Sequence, residues 1–425
     1  MSTHVILLAS MDTKAAEAGF LSACIEEQGA TCTVIDIGYG RPATTPGDIS
    51  AAEVAAAAGA EIESIRLLQD TGAASQLMMQ GAIIKVQELL RRGRCDGVVA
   101  FGGASNTTLA SGVVQTLPIG IPKLIISSSA AMPAYAARYF GSKDVTIMNA
   151  VVDISGLNTL TKSVLRRGAG AICGMAACSS GEVRTKTGKK LIAVSSFRFA
   201  ETCSQSVMRE LEQRGFSPIP FHAQGVGENA MEHLIEQGLF LGVVDIVPAG
   251  LSERMLGGNR AANEDRLEAA ARAGIPQVIA PSGFDMISCG PIARRDRGDR
   301  LWEERQLASR QICIPDKFRV EARTTAAEVR AIAHRVAEKL NRNQTPACVV
   351  VPQRGWSSLS VKGGDLYDPV ADAAFVPALV EALEPAYSVI EVDAELNSDA
   401  FAQILVRELC RLLDAADIRV AGPVT

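Results

Sequence analysis

The chain has few aromatic residues: Phe, Trp and Tyr together make up 4% of its 425 residues. So few rings give no series of stacking platforms for single-stranded nucleic acid. It has only four histidines, which narrows the choice of acid–base groups. Positive charge is not in excess, with 42 Lys and Arg against 47 Asp and Glu and a formal net charge of −5. That balance leaves no electrostatic footprint for nucleic acid or an acidic membrane surface. Apolar runs are broken by Gly, Ser or a charge well short of the ~20 residues that a membrane span needs. The first residues carry no basic segment, so no signal peptide is expected. The ten cysteines are scattered, with no Cys-x-x-Cys and no His at metal-binding spacing. They read as reduced thiols of a cytoplasmic protein, and no metal site is expected.

What is present is an ordinary globular composition, 48% hydrophobic, in a chain long enough for two domains. Short apolar strands alternate with helical stretches throughout, which predicts α/β architecture: two Rossmann-like, doubly wound parallel-sheet domains. The polar, basic stretch Cys178 to Lys190 is the expected boundary. It gives an N-terminal nucleotide-binding domain over 1–182 and a C-terminal domain over 183–425.

The first half is organised around Gly97 to Ala110. A buried strand runs into Gly102-Gly103-Ala104-Ser105-Asn106-Thr107-Thr108, and a helix follows. Strand, glycine turn and helix form a phosphate-binding geometry, because glycine admits close backbone approach and a helix start offers free N–H groups. The same pattern also fits a tight turn with a good N-cap. It is neither a Walker loop nor Gly-x-Gly-x-x-Gly. Upstream, a strand over Val5 to Ala9 leads into Ser10-Met11-Asp12-Thr13-Lys14 and a helix to about Gln28. Lys14 in a first helical turn opposes the helix dipole, which a bound anion would reverse; it could equally pair with Glu17. Asp36, ending the next strand, could meet a ribose hydroxyl or cap its loop. A further strand ends in Ser127-Ser128-Ser129, and Asp153 follows another. All these loops follow strand C-termini, where open α/β sheets bind ligands.

In the second half, Gly225-x-Gly227-x-x-Ala230 lies between a strand and a helix, with Asp245 near the distance expected for a ribose contact. This resembles a dinucleotide fingerprint, although Glu228 within the turn would repel a pyrophosphate. His222, at a strand end, is the best placed histidine for acid–base work. Asp285, Arg354, Asp393 and Glu395 could meet at one sheet edge or form loop-fastening ion pairs. Residues 265–273 read as helix and 291–310 as an exposed charged segment.

Several motifs, taken in order, resemble one family. They are Asp12-Thr13-Lys14 with Glu17, Gly102-Gly103 with Thr107, Ser127-Ser128, and Gly156-Leu157-Asn158 after Asp153. His222-Ala223 with Gly225 and Gly227, Asp285-Met286, Arg323-Thr324-Thr325 and Tyr367-Asp368-Pro369 continue the series. The chain resembles the Tm-one-like ATP-binding proteins, related to the N-terminal region of the tomato mosaic virus resistance protein. The resemblance implies ATP, with or without Mg²⁺, in the first domain and a homodimer built through the second. Carried over, it makes Thr13, Lys14, Gly102, Gly103 and Thr107 nucleotide contacts, to which the loop pattern adds Asp12, Ser105, Asn106, Ser127 and Ser128. The family's usual Gly-Gly-Ser-Gly-Gly-Thr is Gly102-Gly103-Ala104-Ser105-Asn106-Thr107 here. The expectation is a cytoplasmic, dimeric ATP-binding protein acting on a small molecule in the interdomain cleft, with His222, Asp285 and Arg354 as catalytic groups. A non-catalytic binding or inhibitor module and an NAD-linked oxidoreductase are the alternatives.

Overall fold

The computed structural model describes residues 3–178, 190–342 and 345–416. It divides into two compact units, Met1–Thr187 and Gly188–Thr425. The expected boundary after residue 182 lies outside the described residues.

Among the described residues the first unit holds five parallel strands: β1 (His4–Ala9), β2 (Thr31–Asp36), β3 (Gly97–Gly102), β4 (Lys123–Ser127) and β5 (Val145–Asn149). Their order is β2-β1-β3-β4-β5. Alternation along β1 explains the layering, since successive side chains of a strand face opposite ways. Ile6 and Leu8 join Met78, Val86, Leu109 and Val113 in one core. Val5 and Leu7 join Leu21, Leu165 and Ile172 in the other. The helices Thr71–Arg91 and Ala104–Val114 therefore cover one face, and Met11–Glu27 and Thr159–Cys178 cover the opposite one.

Among the described residues the second unit holds nine strands: β6 (Lys190–Ser196), β7 (Phe216–His222), β8 (Gly242–Asp245), β9 (Gln277–Ile279), β10 (Met286–Ser288), β11 (Ile312–Asp316), β12 (Arg319–Arg323), β13 (Ala347–Pro352) and β14 (Ser388–Val392). Six form a parallel sheet in the order β14-β13-β9-β8-β6-β7. The other three form an antiparallel sheet, β10-β12-β11, that the sequence reading missed. Its strands are only three to five residues long, too short for a clear period of two. They also bracket the segment expected to be exposed. In fact Trp302 and Leu307 of that segment are buried, in a core with Phe284, Val320 and Ile332. The helix expected over 265–273 shrinks to Ala269–Arg272, because Leu267 has φ +74°, a left-handed conformation that a right-handed helix cannot contain. Thr325 caps the helix Ala326–Asn341, accepting from Glu328 N while Glu328 reaches back to Thr325 N.

Candidate functional site

The order β2-β1-β3-β4-β5 reverses direction between β1 and β3, and ligands of such sheets bind in the crevice at that switch point. Two of the loops singled out in the sequence flank it. Met11–Glu27 begins after β1, and Ala104–Val114 begins after β3. Ser10 Oγ donates to Asn106 Oδ1 at 2.8 Å and ties the two helix starts together.

The two starts differ in what fills them. At the first, Asp36 accepts from Met11 N at 3.0 Å and from Gly38 N at 2.8 Å. Asp36 thus caps its loop, and burial pushes its carboxyl above the usual range despite those amides. Asp12 is likewise engaged, accepting from Gly40 N at 2.8 Å. Lys14 Nζ lies 4.0 Å from Glu17 Oε1, and Glu17 also accepts from Gly156 N at 2.7 Å. At the second start no side chain caps the helix. Gly102 has φ +149°, and a Cβ there would meet Asn106 Cβ at 2.7 Å, so only glycine fits under Asn106. A Cβ on Gly103 would meet nothing nearer than Ser128 Oγ at 3.9 Å, so the space above it is open. Behind the turn, Thr107 Oγ1, Ser127 Oγ, Ser129 Oγ and Tyr139 OH form a buried hydroxyl chain with spacings of 2.7, 3.0 and 3.2 Å. Thr107 and Ser127 therefore pin the helix start to β4, whereas Ser105 is exposed beside it.

The second unit presents the comparable turn in a closed form. Gly225, with φ +71°, precedes the helix Val226–Glu236. The anion position is taken by the chain's own Glu228. Its Oε2 accepts from Gly225 N at 3.0 Å, and its Oε1 accepts from Gly250 N at 2.8 Å and Arg266 Nε at 2.9 Å. Arg266 also binds Glu232 and Asp245 at 2.8 and 2.7 Å, all fully or nearly fully buried. Asp245 is further committed to Ser195 Oγ at 2.7 Å. The fingerprint expected for NAD is thus filled from within: Glu228 stands where a pyrophosphate would, and Asp245 has no free face for a ribose. Spacing could not reveal this, because Arg266 lies 38 residues from Glu228.

Two of the three expected catalytic groups, His222 and Arg354, do not converge. His222 ends β7 and is exposed, with its ring centroid 5.9 Å from that of Phe197. Arg354 follows β13 and is paired with Asp393 at 2.6 Å, both well exposed. Four strand spacings separate β7 from β13, about 19 Å at 4.8 Å each. Asp285 is fully buried and accepts from Ser357 Oγ at 2.6 Å and Gly283 N at 3.0 Å. It fastens two loops, as does the Arg354–Asp393 pair.

Buried charge elsewhere in this unit has a pH consequence. Burial raises Glu321 to about 7 although Arg260 lies 2.9 Å away. Burial likewise raises Asp372 to about 7 against the pull of Arg323. A carboxyl with a raised folded-state pKa binds its proton more tightly when folded, so stability falls as pH rises between the unfolded and folded values. Thermal melts are expected to show a higher midpoint at pH 6 than at pH 8, and Glu321→Gln with Asp372→Asn should flatten that slope. An unchanged slope in the double variant would show that neither group titrates there.

Comparison with known proteins places the chain in a family. The N-terminal domain of an uncharacterised protein family (UPF0261) matches residues 3–180, and its C-terminal domain matches 189–413. A UPF0261 protein of Clostridium tetani is 32% identical over 415 residues, covering 97% of this chain and 100% of that protein. The tomato mosaic virus resistance protein Tm-1 of Solanum lycopersicum is 33% identical over 318 residues, 73% of this chain and 40% of that longer protein. A UDP-N-acetylglucosamine 2-epimerase of Rickettsia bellii aligns over 99% of each chain at 10% identity, but a TM-score of 0.24 carries no argument. With both of its domains matched in order, the chain belongs to the UPF0261 family.

Proposed function

We propose that the first unit binds ATP, or a ligand with the same phosphate chemistry, in the crevice between β1 and β3. The observation that carries this reading is the helix start at Gly103: uncapped, open above Gly103, and at the sheet's switch point. Free first-turn amides and the positive end of the helix dipole would take the phosphates. Ser105 and Ser128 could add hydroxyl donors, and Lys14 and Thr13 approach from the other loop. Any Mg²⁺ would be carried by the phosphates of the ligand; among the described residues no group of three or more His, Cys, Asp and Glu could hold a metal.

The separation of His222 from Arg354 favours a binding module over a reaction centre made of those two with Asp285. The homodimer implied by the family resemblance belongs to the same proposal, and Ile314 and Phe318, 48% and 67% exposed on one hairpin, are apolar surface that an interface would cover. No described helix is long and apolar enough to cross a membrane.

The test is a thermal-shift titration with ATP, ADP, NAD and phosphate, with and without Mg²⁺, on the wild type and on Lys14→Ala. A ligand at a hundredfold excess over its Kd stabilises the native state by about 2.7 kcal/mol. ATP should give such a shift, Lys14→Ala should reduce it, and NAD should give none. No shift with any nucleotide would overturn the reading.

A further inference from the structure

A cavity of about 420 Å³ lies at the opposite end of the first sheet. It opens beside Cys32 and Thr33, which start β2, and is walled by the Asp48–Ile49 segment and the C-terminal turns of the helix Thr71–Arg91. A strand of six residues spans about 20 Å, so this cavity is separate from the crevice at the C-terminal edge.

Its lining carries three cations, Lys85, Arg92 and Arg94, and three carboxylates, Asp48, Glu53 and Glu88. The cations are poorly matched within the chain. Lys85 approaches Glu88 only at 3.5 Å. Arg94 has one long bond, Nη2 to Thr33 Oγ1 at 3.5 Å, and neither Arg92 nor Arg94 has an ion-pair partner among the described residues. The carboxylates keep capacity as well. Asp48 accepts from Val34 N through Oδ2, and Glu53 accepts from Ser50 through Oε2, which leaves the second oxygen of each without a hydrogen-bond donor among the described residues. Burial pushes the Cys32 thiol up to about 11, so it stays protonated and supplies neither a nucleophile nor a metal ligand.

A polyanion would meet three carboxylates here, and a polycation would meet three basic groups. A small zwitterion satisfies both sets. We propose that this cavity binds a free α-amino acid, its carboxylate held by Arg92 and Arg94 and its ammonium by Asp48 and Glu53. The volume falls within the range of small-molecule sites and leaves room for a side chain. This site is independent of nucleotide binding.

The test is calorimetric titration of the full chain with each of the twenty amino acids, followed by the Arg92→Ala/Arg94→Ala variant. Both arginines are exposed, so the variant should fold, which circular dichroism checks. At least one amino acid should bind with Kd of about 1 mM or tighter. The double variant should weaken it tenfold or more, and Lys14→Ala should leave it unchanged. No binding by any of the twenty, or binding that the double variant retains in full, would overturn the assignment.

Discussion

Asn106→Asp is expected to make the protein more stable and a poorer ligand for phosphate at the same time. Asn106 is the third residue of the helix Ala104–Val114, just as Glu228 is the third of Val226–Glu236. In the second unit that position carries a carboxylate, and the carboxylate fills the helix start. In the first unit it carries a neutral amide whose Oδ1 accepts from Ser10 Oγ. Aspartate keeps that acceptor and the side-chain size, so the tie to Ser10 survives. It also adds a negative charge in the first turn, worth about 0.3–1 kcal/mol of stability through the helix dipole. A bound phosphate would feel the same charge as repulsion. Two unit charges 4 Å apart near a surface repel by about 4 kcal/mol, so a third of that is already a tenfold loss of affinity. The expected result is a denaturation midpoint at or above that of the wild type, with ATP affinity at least tenfold weaker. Unchanged affinity would place the phosphates elsewhere; a large loss of stability would show that the Asn106 amide NH2, which aspartate lacks, is needed by the fold.

The largest effect on stability is expected at Arg266. This guanidinium is fully buried and is shared by Glu228, Glu232 and Asp245. Burial pushes both glutamates above the usual carboxylate range, and Arg266 draws them back down. Arg266→Ala leaves three carboxylates in one dry site without a counter-charge. Removing one partner of a buried pair costs about 3–5 kcal/mol, because the remaining charge keeps its desolvation penalty. The variant should unfold at much lower urea, and its deficit should depend on pH. Protonation neutralises the stranded carboxylates, so the deficit should shrink from pH 8 to pH 5. Arg266→Lys should recover only part of the loss, since an ammonium lacks the planar fork that reaches all three acids. A deficit below about 1 kcal/mol at pH 8 would mean that water enters the site and that the cluster is less dry than its burial indicates.

The same cluster explains why the dinucleotide pattern in the second unit is a structural feature. Gly227 is small because a Cβ there would meet His222 O at 2.1 Å. The turn is tight for the sake of the strand it follows, and the charge at its helix start is supplied from within. The two units therefore use one geometric device for opposite ends. One helix start is closed by Glu228, and the other is left open at Gly103.

Much of this protein was settled by its sequence alone. Alternating apolar strands and helices determined the doubly wound architecture, because a strand buried on both faces must be apolar throughout and a crossover helix needs a period of 3.6. The turn at Gly102 was legible because it depends on residues within four positions of one another. Motif order was enough to indicate the family. Tertiary structure alone decided which groups share a site. The partner of Glu228 is 38 residues away, Asp285 is closed by Ser357 from 72 residues away, and His222 and Arg354 are separated by strand order. None of these has a sequence signature, because hydrogen bonds and ion pairs act over a few ångströms in space and are indifferent to distance along the chain. The antiparallel sheet β10-β12-β11 was missed for a related reason. Strands of three to five residues carry too few alternations to show a period, and pairing partners found only on folding hold them in place.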